Sequence, residues 1–288
     1  MESILSAFAD EAHNKLEGQI EALSAVGIRF LDLRSIDGHN IAALPRDAAR
    51  AAKEKLDAAG IAVNMFGSPI GKIDIGEPFE PELAKLEHLA DMADVFGCRR
   101  VRMFSYFNKQ GKLESEWRSI ALDRLAQLRR RAATLGLALY HENERFIFGE
   151  SAANNAAIAE SLRDGEVFCT IFDFDNYHRG GEDPWAAYQT MKPFTDAIHL
   201  KDSQEDGEHV PVGFGAGKVR EILADMVASG WAGPLSVEPH MRMSKATVPP
   251  LDRDGPPRRL CDITARECFD TAGLAAKRLL DEIELVHR

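Results

Sequence analysis

Short apolar runs of β-branched and aliphatic residues recur along the chain, each entered from an amphipathic stretch that stops at a glycine. Gly27 precedes Ile28 to Leu33, Gly60 precedes Ile61 to Phe66, Gly97 precedes Val101 to Phe104, and Gly136 precedes Leu137 to Tyr140. Glycine accepts the left-handed conformation that closes a helix, so each instance predicts a helix end feeding a strand. Gly230 before Leu235 to Val237 repeats the pattern over a longer connection, and Ile4 to Phe8, Val167 to Phe172 and Ala197 to Leu200 supply further strands. About eight strands alternating with helices predict an α/β fold, a (β/α)8 TIM barrel formed by residues 1–288 as one domain. Apolar stripes at helical spacing mark the faces that pack on it. They are Leu16, Ile20 and Leu23 in the first helix, Leu83, Leu86, Leu89 and Met92 in the third, and Leu122, Leu125 and Leu128 in the fourth.

An open doubly wound sheet is the rival architecture. It calls for a glycine-rich phosphate turn after the first strand, where this chain has Ala9, Asp10, Glu11 and Ala12. Gly213, Gly215 and Gly217 spell GxGxG after the seventh strand, outside that context, and read as a tight loop. Residues 241–260 break the alternation with Pro249, Pro250, Pro256 and Pro257, which predicts a long loop overhanging the barrel mouth before a C-terminal helix.

The barrel reading gives the polar strand ends their meaning, because the loops after parallel strands converge on one face. Glu142, Asp173, His199 and Glu238 each fall at or just past such an end. One imidazole with three carboxylates suits a divalent ion, Mn2+ foremost, with Mg2+, Co2+ or Zn2+ also compatible. A carboxylate bound through one oxygen keeps the other for moving a proton. In His141-Glu142-Asn143-Glu144, alternation sends the two glutamates to one side and His141 and Asn143 to the other. Spacing alone leaves either Asp173 or Asp175 as the ligand. Lys201 and Asp202 form a charged pair beside His199, suited either to polarising a substrate oxygen or to a plain salt bridge. Lys72, Arg102, Lys201, Arg242 and Lys245 are candidates for gripping substrate oxygens.

Composition narrows the partners. A net charge of -11 opposes attraction to a nucleic-acid backbone. No apolar run approaches the roughly 18 residues of a membrane span. Cys98, Cys169, Cys261 and Cys268 form no CxxC pair and read as reduced thiols. The first residues carry no basic leader, so the expected location is cytoplasmic.

The chain resembles the sugar phosphate isomerase/epimerase group of the xylose isomerase-like TIM-barrel superfamily. The matching segments are Gly67-Ser68-Pro69-Ile70-Gly71-Lys72, Arg102-Met103-Phe104-Ser105, His141-Glu142-Asn143-Glu144, Phe172-Asp173 with Asn176, His199-Leu200-Lys201-Asp202 and Val237-Glu238-Pro239. The resemblance implies a metal held by Glu142, Asp173, His199 and Glu238, with Glu142 and Glu238 as acid and base, and thereby favours Asp173 over Asp175. It implies a small sugar or sugar-derived substrate contacted by Lys72, Arg102, Asn176 and Lys201. It departs from the ketose 3-epimerase pattern at Asn176, where those enzymes often have a histidine, and at Glu205, where an arginine is usual. The implied activity is a metal-dependent isomerase or epimerase working through an enediolate. The alternatives are a dehydratase or lyase of an inosose-like compound, a phosphodiesterase of the apurinic endonuclease type, and a non-catalytic sugar-binding protein. A homo-oligomer is in keeping with the fold.

Overall fold

The computed structural model describes residues 2–250 and 256–288. Eight parallel strands close into a barrel. They are β1 (Leu5–Ala7), β2 (Phe30–Leu33), β3 (Ala62–Phe66), β4 (Arg100–Met103), β5 (Ala138–Glu142), β6 (Phe168–Asp173), β7 (Thr195–Leu200) and β8 (Leu235–Val237). Each pairs with its neighbours in sequence, and the ring closes where Leu5 lies opposite Leu235 and Ala7 opposite Val237. All eight runs picked out by the apolar pattern are barrel strands.

The helices are α1 (Leu16–Val26), α2 (Arg46–Ala58), α3 (Glu80–Phe96), α4 (Glu114–Leu135), α5 (Ala152–Leu162), α6 (Phe174–Arg179), α7 (Pro184–Met191), α8 (Val219–Ala228) and α9 (Ala265–Glu282). Gly27, Gly97 and Gly136 end α1, α3 and α4 in the left-handed region at φ 67°, 70° and 66°. Thr264 opens α9 with a capping box to Glu267. The centres of the apolar stripes are buried against the barrel, as at Leu86, Leu89, Leu125 and Leu128. Each such side chain contributes about 1.5–3 kcal/mol. Ile20, Leu83 and Leu122 form the half-buried margins of those faces.

Inside the barrel, Met65 of β3, Ile171 of β6 and Ala197 of β7 form a small apolar cluster with Tyr140 of β5. Beside it lies a polar layer: the Ser6 hydroxyl donates to Asp32 at 2.8 Å, and the Asn64 amide donates to the other Asp32 oxygen at 2.8 Å. These hydrogen bonds satisfy a carboxylate that would otherwise be costly to bury.

The loop expected over residues 241–260 contains more structure than proline content suggests. Met241–Met243 form a single 3-10 turn, and Thr247–Val248 pair antiparallel with Arg258–Arg259. Met241, Val248 and Leu260 are buried, so apolar anchors hold the described parts of this loop down. Its tip, residues 251–255, lies outside the described residues. Among the described residues, no helix is long and apolar enough to cross a membrane.

Among the described residues, the non-glycine positions with positive φ gather on one face, Glu284 after α9 excepted. Asp37, Tyr106, Phe146, Lys218 and His240 have positive φ and lie in the loops that follow β2, β4, β5, β7 and β8. Non-glycine residues adopt this conformation at a cost, and such strain concentrates where the surroundings serve a function.

A buried carboxylate–imidazole site at the barrel mouth

Glu142 is the last residue of β5, Asp173 the last of β6, His199 the penultimate residue of β7, and Glu238 the first after β8. Parallel pairing sets these ends side by side, with Asp173 opposite His199 across β6 and β7. One ligand atom from each of the four lies within 4.8 Å of the others, and all four residues are buried. His199 Nδ1 is 2.9 Å from Glu142 Oε1 and 3.2 Å from Glu238 Oε2. Asp173 Oδ1 accepts the Asn176 amide at 2.8 Å, capping α6, which leaves Oδ2 pointing into the cluster.

The donor set fits a divalent cation. His199 Nε2 is buried without a hydrogen bond, which is unusual for such a group, and Glu142 Oε2 and Asp173 Oδ2 are met only by the ion-pair contacts of Arg102 at 3.3 Å and Lys201 at 2.9 Å. Burial alone would lower the His199 pKa, but the charges of Glu142 and Glu238 raise it to about 10. Burial likewise works against ionised Glu142, yet the charges of His199 and Arg102 hold it well below the carboxylate range. A pocket that draws a proton this strongly onto an imidazole also draws a metal ion.

Cations surround the cluster. Lys201 Nζ lies 2.9 Å from Asp173 Oδ2, donates to Asn176 Oδ1 at 3.0 Å, and sits 4.0 Å from Glu238 Oε2. The sequence placed Lys201 beside Asp202 as a charged pair. The structure instead turns Asp202 away, to the backbone amides of Gly213, Gly215 and Gly217, and pairs Lys201 with Asp173. Alternation explains it, since adjacent extended residues point to opposite sides. Arg102 bridges the two glutamates, with Nη1 3.3 Å from Glu142 Oε2 and 3.2 Å from Glu238 Oε1. The Asn176 side-chain Nδ2 donates to the Asn143 backbone carbonyl at 2.8 Å and approaches Glu142 Oε1 at 3.5 Å. Lys72 stands at the rim, donating to Glu144 at 2.8 Å and lying over the Phe104 ring. A cavity of about 240 Å3 opens here, lined by Arg34, Lys72, Arg102, Glu142, Glu144 and Glu238. A larger cleft of about 640 Å3, bounded by Arg145, Arg179 and Lys218, touches none of the four clustered residues.

Several members of the site escaped the sequence reading. Arg34, the residue after β2, donates Nη1 to Glu238 Oε1 at 2.9 Å and grips Asp10 through Nε and Nη2 at 2.7 and 2.9 Å. Glu11 is 3.4 Å from the same guanidinium and 2.7 Å from His240 Nδ1. Glu11, Glu238 and His240 stand close enough to form a second ligand set, but Arg34 already pairs with both of its carboxylates. Asp10, Glu11 and Arg34 obey the strand-end rule that picked out the other four, so that rule applied to β1 and β2 would have found them. Asn143 is a structural partner: its amide accepts from the Asp173 N–H at 2.9 Å and donates to the Asp173 carbonyl at 3.0 Å. Asp175 pairs with His209 at 3.1 Å and lies outside the cluster, so of the two aspartates it is Asp173 that joins Glu142, His199 and Glu238. His141 faces away, its Nδ1 3.0 Å from Asn155 Oδ1. Arg242 and Lys245 are exposed.

No curated protein matches the sequence. Among solved structures, the IolI protein with a bound zinc atom superposes with a TM-score of 0.75 at 14% identity, over 97% of this chain and 99% of that one. A D-tagatose 3-epimerase-like protein gives 0.73 at 14% identity over 98% of each chain. The probable 3-DHS dehydratase AsbF from Bacillus anthracis gives 0.70 at 14% identity, over 96% of this chain and 99% of that one. At such identities the likeness speaks to the fold. The family profile described as xylose isomerase-like TIM barrel matches residues 20–257. With its closed eight-stranded barrel and a profile match over most of its length, the chain belongs to the xylose isomerase-like TIM barrel family.

Proposed function

We propose that the protein is a divalent-metal-dependent isomerase or epimerase of a small polyhydroxylated carbonyl compound, reacting through an enediolate. The observation that carries this reading is the buried cluster of Glu142, Asp173, His199 and Glu238, with two glutamates flanking a cavity at the barrel mouth. Glu142, Asp173, His199 and Glu238 would hold a divalent ion, Mn2+ foremost, whose positive charge would lower the cost of forming the enediolate.

Asp173 and His199 would serve mainly to hold the ion. Glu142 and Glu238 would hold it and also move protons, and their surroundings differ. Glu238 Oε1 is engaged by two guanidiniums, from Arg34 at 2.9 Å and Arg102 at 3.2 Å, whereas Glu142 Oε2 meets Arg102 alone, at 3.3 Å. Glu142 is therefore the better placed to take the proton alpha to the carbonyl. Return of a proton by Glu238 to the opposite face inverts the centre, and return to the neighbouring carbon exchanges aldose and ketose. Arg102 and Lys201 supply buried donors for substrate oxygens, Asn176 orients Lys201, and Lys72 closes the rim. The substrate is a neutral or weakly anionic sugar derivative of a size suited to a cavity of about 240 Å3.

The test is exchange of solvent deuterium. Manganese-loaded protein in D2O incorporates deuterium alpha to the carbonyl of its substrate, and Glu142→Gln abolishes the incorporation. Absence of exchange across a broad panel of ketoses, aldoses and keto-inositols at full metal occupancy overturns the reading. A product lighter by one water reassigns the site to a dehydratase, in which the same enediolate expels a beta hydroxyl.

A further inference from the structure

The GxGxG run and the Asp202 carboxylate have no part in the reaction described above, yet the fold brings them together with unusual thoroughness. Asp202 lies two residues past the end of β7 and is 1% exposed. Its Oδ2 accepts the amides of Gly213 and Gly215, each at 3.0 Å, and its Oδ1 accepts those of Gly217 at 2.9 Å and Ser203 at 3.0 Å. Four backbone N–H groups thus converge on one buried carboxylate, three of them from glycines eleven to fifteen residues downstream. Gly213 is required by its backbone, at φ 84°, and Gly215 and Gly217 by space. A Cβ on Gly215 would stand 2.3 Å from Asp202 Oδ1 and 2.4 Å from the Ser203 carbonyl, and a Cβ on Gly217 would stand 2.7 Å from Asp202 Oδ1. The run is therefore a backbone nest for an anion, and the anion is the protein's own side chain.

What Asp202 holds down is the end of the strand that serves the metal cluster. His199 and Lys201 leave β7 toward the ion site, and Asp202 leaves toward the loop. The chain is thereby gripped from both sides over four residues. Asp202 Oδ1 and Oδ2 fix the returning loop, the Ala216 amide bonds to the Ser203 carbonyl at 2.8 Å, and Asp202 pairs with Val210 in a short antiparallel ladder. On the opposite side Lys201 reaches Asp173 and Asn176. Lys201 has a flexible side chain, so its position on Asp173 depends on how firmly its backbone is held.

We propose that Asp202 is a positioning residue for the metal site, and that the glycine loop exists to clasp its carboxylate and so fix the end of β7 from which His199 and Lys201 project. The inference rests on the metal-site reading above, but not on the identity of the substrate. Asp202→Asn keeps the shape and replaces one acceptor oxygen by a donor facing backbone N–H groups. Gly217→Ala leaves the carboxylate in place and crowds it.

Manganese alone, titrated into the purified full chain and followed by the signal of the free ion, gives the first readout. Both variants, folded by circular dichroism, are expected to bind manganese at least about tenfold more weakly than wild type. Hydrogen exchange on the metal-free protein gives the second, with exchange at His199 to Ser203 rising in the variants while that of β2 stays unchanged. A fall in melting temperature with manganese affinity within twofold of wild type and unaltered relative exchange overturns the proposal, because a merely structural staple behaves that way. If Asp202→Asn does not fold, Gly217→Ala is judged by the same two criteria. If wild type binds no manganese, the metal reading fails on its own, and exchange at His199 to Ser203 still decides the role of Asp202.

Discussion

At the scale of single residues, the site is an arrangement of charges that are unaffordable alone and stable together. Arg34 illustrates it. Its guanidinium serves Asp10, Glu11 and Glu238 at once while only partly exposed. Replacing it with methionine leaves three carboxylates facing one another, and breaking a buried pair in this way costs about 3–5 kcal/mol, reduced here to roughly 2–3 by the partial exposure of Arg34. Urea unfolding of Arg34→Met without metal should show that loss, and manganese should recover part of it by taking over the charge of Glu238. A loss below about 0.5 kcal/mol shows that Arg34 is not the counter-charge of this cluster. His141 gives a different prediction. Burial pushes its pKa down to about 4, against 6.5 for the free group. Between those values the unfolded chain binds the proton and the folded chain does not. The contribution of His141 is therefore complete above pH 6.5 and is lost as pH falls toward 4, by about 3 kcal/mol. The difference in unfolding free energy between wild type and His141→Gln, measured at pH 7.5 and 4.5, should carry that pH dependence. These roles were unequally legible. Glu142, Asp173, His199 and Glu238 announce themselves as polar interruptions of apolar runs. Arg34 does so as well, but its partner Glu238 is 204 residues away, and only the closed barrel brings β2 near β8 through β1.

At the scale of elements, boundaries set by local chemistry could be read, and partnerships set by closure could not. The glycines that end α1, α3 and α4 and the apolar runs that follow them are local signals, and the strands lie where those signals put them. The loop after β8 was legible only as an interruption. Its 3-10 turn and antiparallel pair depend on Met241, Val248 and Leu260 finding apolar cover, which proline content does not encode. Asn143 shows how an element beyond the reach of periodicity shapes the site. Its amide binds both the N–H and the C=O of Asp173, so a side chain of the β5 loop continues the β5–β6 ladder by one step. Asn143→Ala leaves those two backbone groups buried without partners. At about 1–3 kcal/mol for each, the expected destabilisation is roughly 2–6 kcal/mol by urea unfolding. Because the lost bonds anchor the Asp173 backbone, manganese affinity should fall with stability. Unchanged affinity in a destabilised Asn143→Ala protein shows that Asp173 needs no such anchor.

At the scale of the whole molecule, the barrel gathers the ends of β5, β6, β7 and β8 around one cluster, so an ion held there ties together half of the strands. Without the ion, Glu142, Asp173 and Glu238 repel one another, relieved by Arg34, Arg102, Lys201 and a protonated His199. With it, the native state gains a ligand that the unfolded chain cannot hold in the same geometry, and stability rises by mass action. Free metal at a hundredfold over its dissociation constant adds about 2.7 kcal/mol. For a chain of this length, at roughly 2–4 °C per kcal/mol, the melting temperature should rise by about 5–10 °C on manganese addition and fall back with a chelator. The size of the shift separates this cluster from adventitious binding by exposed carboxylates. Asp173→Asn and Glu238→Gln should abolish it, while Asp91→Asn, an exposed acid on α3 with a long contact to Arg46, should leave it intact. A shift that survives both site substitutions places the ion elsewhere, and with it the chemistry proposed for the barrel mouth.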